Sequence, residues 1–464
     1  MSPLPLTGIS SWNSIYISGC CAFIQATQFS IFFSSMWPYL LKLKPDVRQD
    51  SFGVVVSAYS FAQCIGSPFF GYWSNKIGQV RIPLIFGYLI MAAGNITYLS
   101  LQFLPSYHLQ MMMLARFIAG AGTGNMSLLR AYVSTASTST DRSRALACVS
   151  GGIAVGTMIG PGMQLLFTPL GEKGVDFVLN LNIYTAPALF SLGLNIVGLV
   201  FVKFWFVEHT VIQVEASKID GEVETKLPDP NIVALMVCIL TRFTQIFVQT
   251  SIETLGSAYS MMMFGFEKEQ AVSVNAGVHM AAGTIAALFY VFFILFNPKK
   301  FIRVRSFCAL SLFFMLLMFI ATYSYPFLGE KVHLSSNASD ADCNREKYQW
   351  CDSLTTTPVW VYYSGYVLVF GIANSFLNIS LTTLYSKVVG PRPQGTHQGF
   401  FQMSGSIGRL IAPLLMSWLL CCIRTQNPMD HQNERCYSHA VFMVHIPQEH
   451  DSIREKSVIT KDHN

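Results

Sequence analysis

The chain predicts an all-α polytopic membrane protein, on three observations. Only 12% of its 464 residues are Asp, Glu, Lys or Arg, about half the share of a typical soluble domain. Apolar residues make up 52%, with 36 Phe and 20 Met, and the mean hydropathy is +0.43. Apolar runs long enough to cross a bilayer recur along most of the sequence. Such a surface cannot be covered with charge as a water-soluble globule requires. The aromatic content excludes a disordered chain. A net charge of +5, without any block of like charge, gives no reason to expect a nucleic-acid partner. The partner the composition demands is the lipid bilayer.

Eleven spans are expected, at residues 12–40, 52–74, 82–104, 108–133, 145–168, 183–207, 231–263, 270–296, 306–328, 358–386 and 398–422. The runs 12–40 and 231–263 exceed the bilayer thickness and are expected to tilt or overshoot. No basic segment precedes the first, so it reads as a span rather than a cleaved signal. After six spans comes a solvated linker, residues 208–230, rich in Asp and Glu and closed by Pro228 and Pro230. The organisation expected is a six-helix half at 1–207, the linker at 208–230, a five-helix half at 231–422 and a polar tail at 423–464.

Lys and Arg favour the loops that share a side with the N-terminus, which places that side in the cytosol. Asn337-Ala338-Ser339 is a glycosylation sequon in the opposite compartment. Cys343 and Cys351 share its loop, where a disulfide can persist. The sequons at Asn95, Asn125 and Asn378 fall inside spans and read as chance matches. The remaining cysteines are mostly intramembrane and act as small apolar residues.

Two spans carry one pattern: Gly156-Thr-Met-Ile-Gly160-Pro161 and Gly408-Arg-Leu-Ile-Ala412-Pro413. Small residues four apart let helix backbones approach, and proline bends the helix there. The pattern suggests two homologous halves. The turn after the second span reads Gly71-Tyr-Trp-Ser-Asn75-Lys76-Ile-Gly78-Gln-Val-Arg81. A short basic turn with two glycines can dock on neighbouring helix ends and lock one conformation. The fourth span carries Arg116-Phe-Ile-Ala-Gly120-Ala-Gly122-Thr-Gly124, which is no phosphate cradle because no strand precedes it.

Both motifs resemble those of the major facilitator superfamily. Ser35-Met-Trp-Pro-Tyr-Leu40, Gly171-Glu-Lys-Gly174, Ile252-Glu253-Thr254, Thr383-Leu-Tyr-Ser-Lys387 and Gly390-Pro-Arg-Pro-Gln-Gly395 are similar to its lysosomal branch linked to neuronal ceroid lipofuscinosis. The resemblance covers about residues 12–420 and implies a transporter fold of two six-helix halves, a lysosomal membrane and anion (chloride) conductance. It also implies a twelfth span, which this sequence lacks. Asn75 stands where the wider family usually has Asp, so the charge of that loop is missing.

Six charges fall within the expected spans. Arg130 and Lys203 lie near span ends and are expected to snorkel to water. Arg116, Arg242, Glu253 and Arg409 are deep, and each costs a few kcal/mol to insert unless it meets a partner or a wet cavity. Arg242 and Glu253 are eleven residues apart, so they share a helix face to within about 20° at a separation of about 16 Å. Glu253, read as a lone buried carboxylate, is a candidate for loading and releasing a proton. His279 is a second titratable candidate. Three arginines against one glutamate favour an anion in any central cavity. Arg116 reads as structural, and the Gln25 and Gln28 pair as packing.

No nucleophile elbow, phosphate loop, zinc-protease or Cys-x-x-Cys pattern occurs in the sequence, so neither enzyme chemistry nor a cofactor or metal is expected. The expected function is passage of a small solute, foremost an anion, with proton coupling as an option. A non-transporting adaptor and a proton-coupled organic-solute or drug antiporter stand as alternatives.

Overall fold

The computed structural model describes residues 10–32, 35–45, 47, 49–104, 106–171, 174–176, 180–208, 230–296, 304–325, 334–335, 343–344, 355–390 and 392–424. Asn337, Cys351 and the polar tail lie outside them, and Cys343 is described in its backbone alone. Eight helical segments are both long and apolar enough to cross a membrane by length and composition among these residues. The chain runs α1 Trp12–Ser30, α2 Met36–Leu43, α3 Gln49–Ile77, α4 Arg81–Leu99, α5 His108–Thr123, α6 Met126–Thr135, α7 Arg142–Gln164 and α8 Ala186–Val200. After the linker come α9 Ile232–Phe264, α10 Lys268–Phe296, α11 Val304–Ala321, α12 Val359–Leu368, α13 Asn374–Val389 and α14 Gln394–Arg424. Among the described residues the strands are two-residue pairs: Val175–Asp176 antiparallel to Asn180–Leu181, and Leu334–Ser335 parallel to Cys343–Asn344.

Two expected spans, 12–40 and 108–133, are each divided into shorter helices, and 398–422 lies within α14. The run 12–40 is not one tilted helix. It stops at Ser30, whose hydroxyl donates back to the Ala26 carbonyl at 3.0 Å and across to the Gly156 carbonyl at 3.2 Å, competing with helix continuation. Its Gln25 and Gln28 are buried. The run 108–133 breaks at Gly124-Asn125, where Asn125 Nδ2 donates to the Leu84 carbonyl at 3.2 Å. The run 398–422 sits inside α14, whose first half carries buried Gln394, Gln398 and Gln402. The span 306–328 is shorter than expected, ending at Ala321. The span 358–386 contains a wide, π-type turn at Val369–Ala373 between α12 and α13.

Local signals set several ends. The Asn231 side chain accepts the Ala234 N–H at 3.2 Å and caps α9. Gly265, in the left-handed region, stops the same helix after 33 residues. One core joins α1, α4, α6, α7 and α8 around Ile15, Tyr88, Leu129, Tyr132 and Val149. Another joins α9, α11, α12, α13 and α14 around Cys238, Met315, Tyr366, Leu381 and Phe401. The opposite faces are apolar and exposed, as lipid requires: Phe61, Ile65, Phe69 and Tyr72 form a stripe along α3, and Val233, Met236, Val237 and Leu240 along α9.

Helices from before and after the linker meet mainly toward one end of the bundle, which carries Lys76, Arg81, Arg142 and Arg392 and is called the basic end below. There α3 lies on α14 with glycine at both surfaces. A Cβ on Gly71 would fall 2.4 Å from the Gly395 carbonyl oxygen, and one on Gly399 would fall 2.6 Å from that of Ser67. A little further in, Ser406 Oγ donates to Gln63 Oε1 at 2.8 Å. On the neighbouring seam α7 meets α10, with Gly151 against Tyr290 and Gly283 against Met158.

Candidate functional site

The basic turn between α3 and α4 is held from both sides. Asn75 Nδ2 donates to Thr396 Oγ1 at 2.7 Å, and Asn75 Oδ1 accepts the Gly395 N–H at 3.0 Å. The neutral amide therefore does with one side chain what a carboxylate cannot: it both donates and accepts. Gly78 takes the left-handed conformation the turn needs, and Lys76 is exposed. Arg81 Nε donates to the Val202 carbonyl at 3.1 Å and its Nη2 to that of Lys203, tying α4 to the end of α8. Glu208 accepts the N–H groups of Val80 and Arg81. Burial pushes its carboxyl above the usual range, against the lowering effect of those two hydrogen bonds and of the Arg81 charge.

Deeper in, the structure separates the arginines into two settings. Arg116 is 3% exposed. Its guanidinium lies 4.6 Å from the Tyr59 ring centroid and 5.3 Å from that of Phe32. Phe29 lies tilted against Tyr59, ring centroids 4.9 Å apart, and also faces the Arg409 guanidinium at 5.1 Å. This is an aromatic box, and cation–π contacts of this kind are worth about 2 kcal/mol when desolvated.

Arg242 and Arg130 occupy the second setting. Arg130 does not snorkel: it is 2% exposed, and Nη1 donates to Gln402 Oε1 on α14. The end of a helix packed inside a bundle has no water to reach. Arg242 Nη1 donates to Gln245 Oε1 and to Asn378 Oδ1, both at 3.0 Å, while Asn378 Nδ2 donates to the Tyr290 hydroxyl at 3.0 Å. Arg130, Arg242 and Arg409 lie within electrostatic reach of one another. Among the described residues none of the three is paired with a carboxylate.

Glu253 is exposed rather than buried, which corrects the reading of it as a lone buried carboxylate. It is nevertheless connected to Arg242. Gln245 Nε2 donates to Asn374 Oδ1 at 2.8 Å, Asn374 Nδ2 to Gln249 Oε1 at 3.3 Å, and Gln249 Nε2 to Glu253 Oε1 at 2.9 Å. With the Arg242–Gln245 bond, four hydrogen bonds run from guanidinium to carboxylate, each donor pointing the same way. Aligned amide dipoles reinforce one another in a low dielectric. Asn374 follows the wide turn at Val369–Ala373 directly, and such turns recur at functional positions. His279 stands beside this row: its Nδ1 is 2.8 Å from the Tyr366 hydroxyl, and Tyr366 is within electrostatic reach of Glu253.

Sequence reasoning named Arg242, Glu253, Arg409, Arg116 and His279 but missed Arg130 and the amides that connect them. The missing signal was in the spacing. Gln245 and Gln249, Asn374 and Asn378, and Gln398 and Gln402 are amide pairs four residues apart on three different helices, so each pair stacks on one face. Among the described residues no group of three His, Cys, Asp or Glu is placed to hold a metal.

The family model of the Major Facilitator Superfamily matches residues 19–413. The chain belongs to the major facilitator superfamily. It is a multi-pass membrane transporter, not an enzyme. It is 28% identical over 454 residues to major facilitator superfamily domain-containing protein 8 of Xenopus laevis, covering 90% of this chain and 87% of that one. Among solved structures, the human organic anion transporter MFSD10 (TETRAN) superposes with a TM-score of 0.59 at 14% identity, covering 89% of this chain and 94% of the other. FucP, solved in its outward conformation, gives 0.60 at 13% identity over 87% and 91%. These likenesses extend the facilitator fold over nearly the whole described bundle.

Proposed function

We propose that this transporter carries a small anion across an endolysosomal membrane by alternating access, with the Arg130–Arg242–Arg409 cluster as its central site. The observation that carries the reading is three deep guanidiniums whose partners are neutral amides and aromatic rings, with no carboxylate among the described residues to cancel them. A site charged in this way favours anions over cations when solute reaches it. The compartment follows from the resemblance of the sequence to the lysosomal branch of the family.

In this conformation the basic end, which the loop charges assign to the cytosol, is closed by α3 on α14. Asn75, Gly71 and Gly395 form the latch. On the alternating-access reading, rocking of one half against the other would break the latch and change the side to which the central site is exposed. Glu253 closes the polarised amide row that begins at Arg242, and removing its charge by substitution would leave Arg242 a larger share of its own charge for an anion.

The test is flux in reconstituted vesicles under an imposed anion gradient, with and without a pH gradient. Saturable anion uptake that collapses in Arg242→Gln is the expected result. Cation movement without anion movement would sink the reading. Unchanged activity after neutralising both Arg242 and Glu253 would favour an adaptor on a transporter fold.

A further inference from the structure

We infer that the ligand of this site is a compact dianion with oxygen-borne charge, a short dicarboxylate or a tetrahedral oxyanion, bound between Arg130 and Arg242, rather than a halide. The inference rests on the anion reading above and deepens it.

The three arginines are spaced turn by turn along one face of α14. Arg130 is bonded to Gln402. Arg242 packs on Gly405, where a Cβ would lie 3.3 Å from its Nε. Arg409 is on α14 itself. Positions 402, 405 and 409 share a face and cover about 10 Å of helix axis. A halide among them cancels one charge of three. A dianion cancels two, and the exposed carboxylate of Glu253 lies at the far end of the amide row.

The donors also point to oxygen. A guanidinium offers a planar fork that matches the paired oxygens of carboxylate or phosphate-like groups, whereas a spherical ion uses one edge poorly. In both Arg130 and Arg242 the Nε–H has no partner although it is buried. Gln398, fully buried one turn before Gln402, has both amide atoms unpartnered. Buried donors of this kind are costly to leave unmade, and an oxyanion in the seam would take them. Gly405 keeps Arg242 close against the α14 backbone, so a side chain there would press on the fork.

The full chain in liposomes, loaded in parallel with labelled succinate, sulfate and chloride, tests this. The expected result is saturable uptake of succinate or sulfate, with kcat/KM for the better dianion at least ~10-fold above chloride. Which of the two moves identifies the source of the charge. Arg130→Gln and Arg242→Gln should each raise the dianion KM by ~10-fold or more while changing chloride less, and Arg242→Lys should fall between. Since glutamine variants can lose folded protein, thermal unfolding of the detergent-solubilised wild type is followed with each anion alone. Sulfate or succinate should raise its melting temperature and chloride should not. Chloride uptake without either dianion overturns the inference and leaves the anion reading standing. Failure of all three anions to move or to stabilise the protein overturns both.

Discussion

Arg116 and Arg242 are two buried arginines in one bilayer-spanning bundle, and they are satisfied by opposite chemistry. Arg116 is boxed by the faces of Phe32 and Tyr59. Arg242 is held by amide oxygens of Gln245 and Asn378. Ring faces compensate a cation without hydrogen-bond direction, and they do not change when a proton or ligand arrives. Amides have direction, and each can pass a change in polarity to the next. The first setting suits a fixed strut and the second a responsive site.

The sharpest way to break this contrast is to neutralise both cations. Arg242→Gln should reduce anion kcat/KM by about 100-fold or more with a near-normal melting temperature, whereas Arg116→Gln should lose folded yield and keep its KM. Equal kinetic losses in both would erase the distinction. The next test is the amide row itself. Asn374→Ala cuts it in the middle and should cost about tenfold in flux, and Glu253→Gln, at its end, should cost less. Flux unchanged in both variants would make the row mere packing.

The latch offers a third, smaller effect. Gly71→Ala puts a methyl into the Gly395 carbonyl, at a cost of about 1–3 kcal/mol to the closed basic end. A cysteine introduced at Ser406 should then become more reactive to an impermeant reagent applied from that side. The smallest effect is expected at Glu208. Its carboxyl is pushed above the usual range, mainly by burial, so the folded chain holds that proton more tightly than the unfolded one. Its contribution is therefore full in acid and declines as pH rises through the folded value. Glu208→Gln keeps the acceptor for the Val80 and Arg81 N–H groups and removes the buried charge. At neutral pH it should leave the melting temperature equal or raised by about 1–2 °C, measured by thermal unfolding.

The fold was legible in the sequence because a bilayer imposes length and hydropathy on every lipid-facing helix. The interior was harder to read for the same reason. Buried polar side chains such as Gln25, Gln28, Asn125, Gln398 and Gln402 lower the hydropathy of α1, the α5–α6 pair and α14, and the breaks at Ser30 and Gly124 gave no apolar signal. The deep arginines stood out as single charges. What they touch did not, since Gln402 pairs with Arg130 across 272 residues and Asn378 with Arg242 across 136. Proximity to a span end misled the reading of Arg130, because snorkelling requires water at that end and the bundle has covered it. Glu253 misled in the other direction: depth in a span is not burial, and its side chain is exposed.

The wide turn at Val369–Ala373 sets a phase. It inserts one residue into a helix that would otherwise run from Val359 to Val389, and one residue is about 100° of rotation. On one side of it Tyr366 meets His279. On the other, Asn374 and Asn378 meet the Gln245–Arg242 row. Deleting a single residue between 369 and 373 would turn one of these rows out of register while leaving both helices intact. The aromatic row and the amide row are thus synchronised by one surplus residue, and neither can be re-aimed without the other.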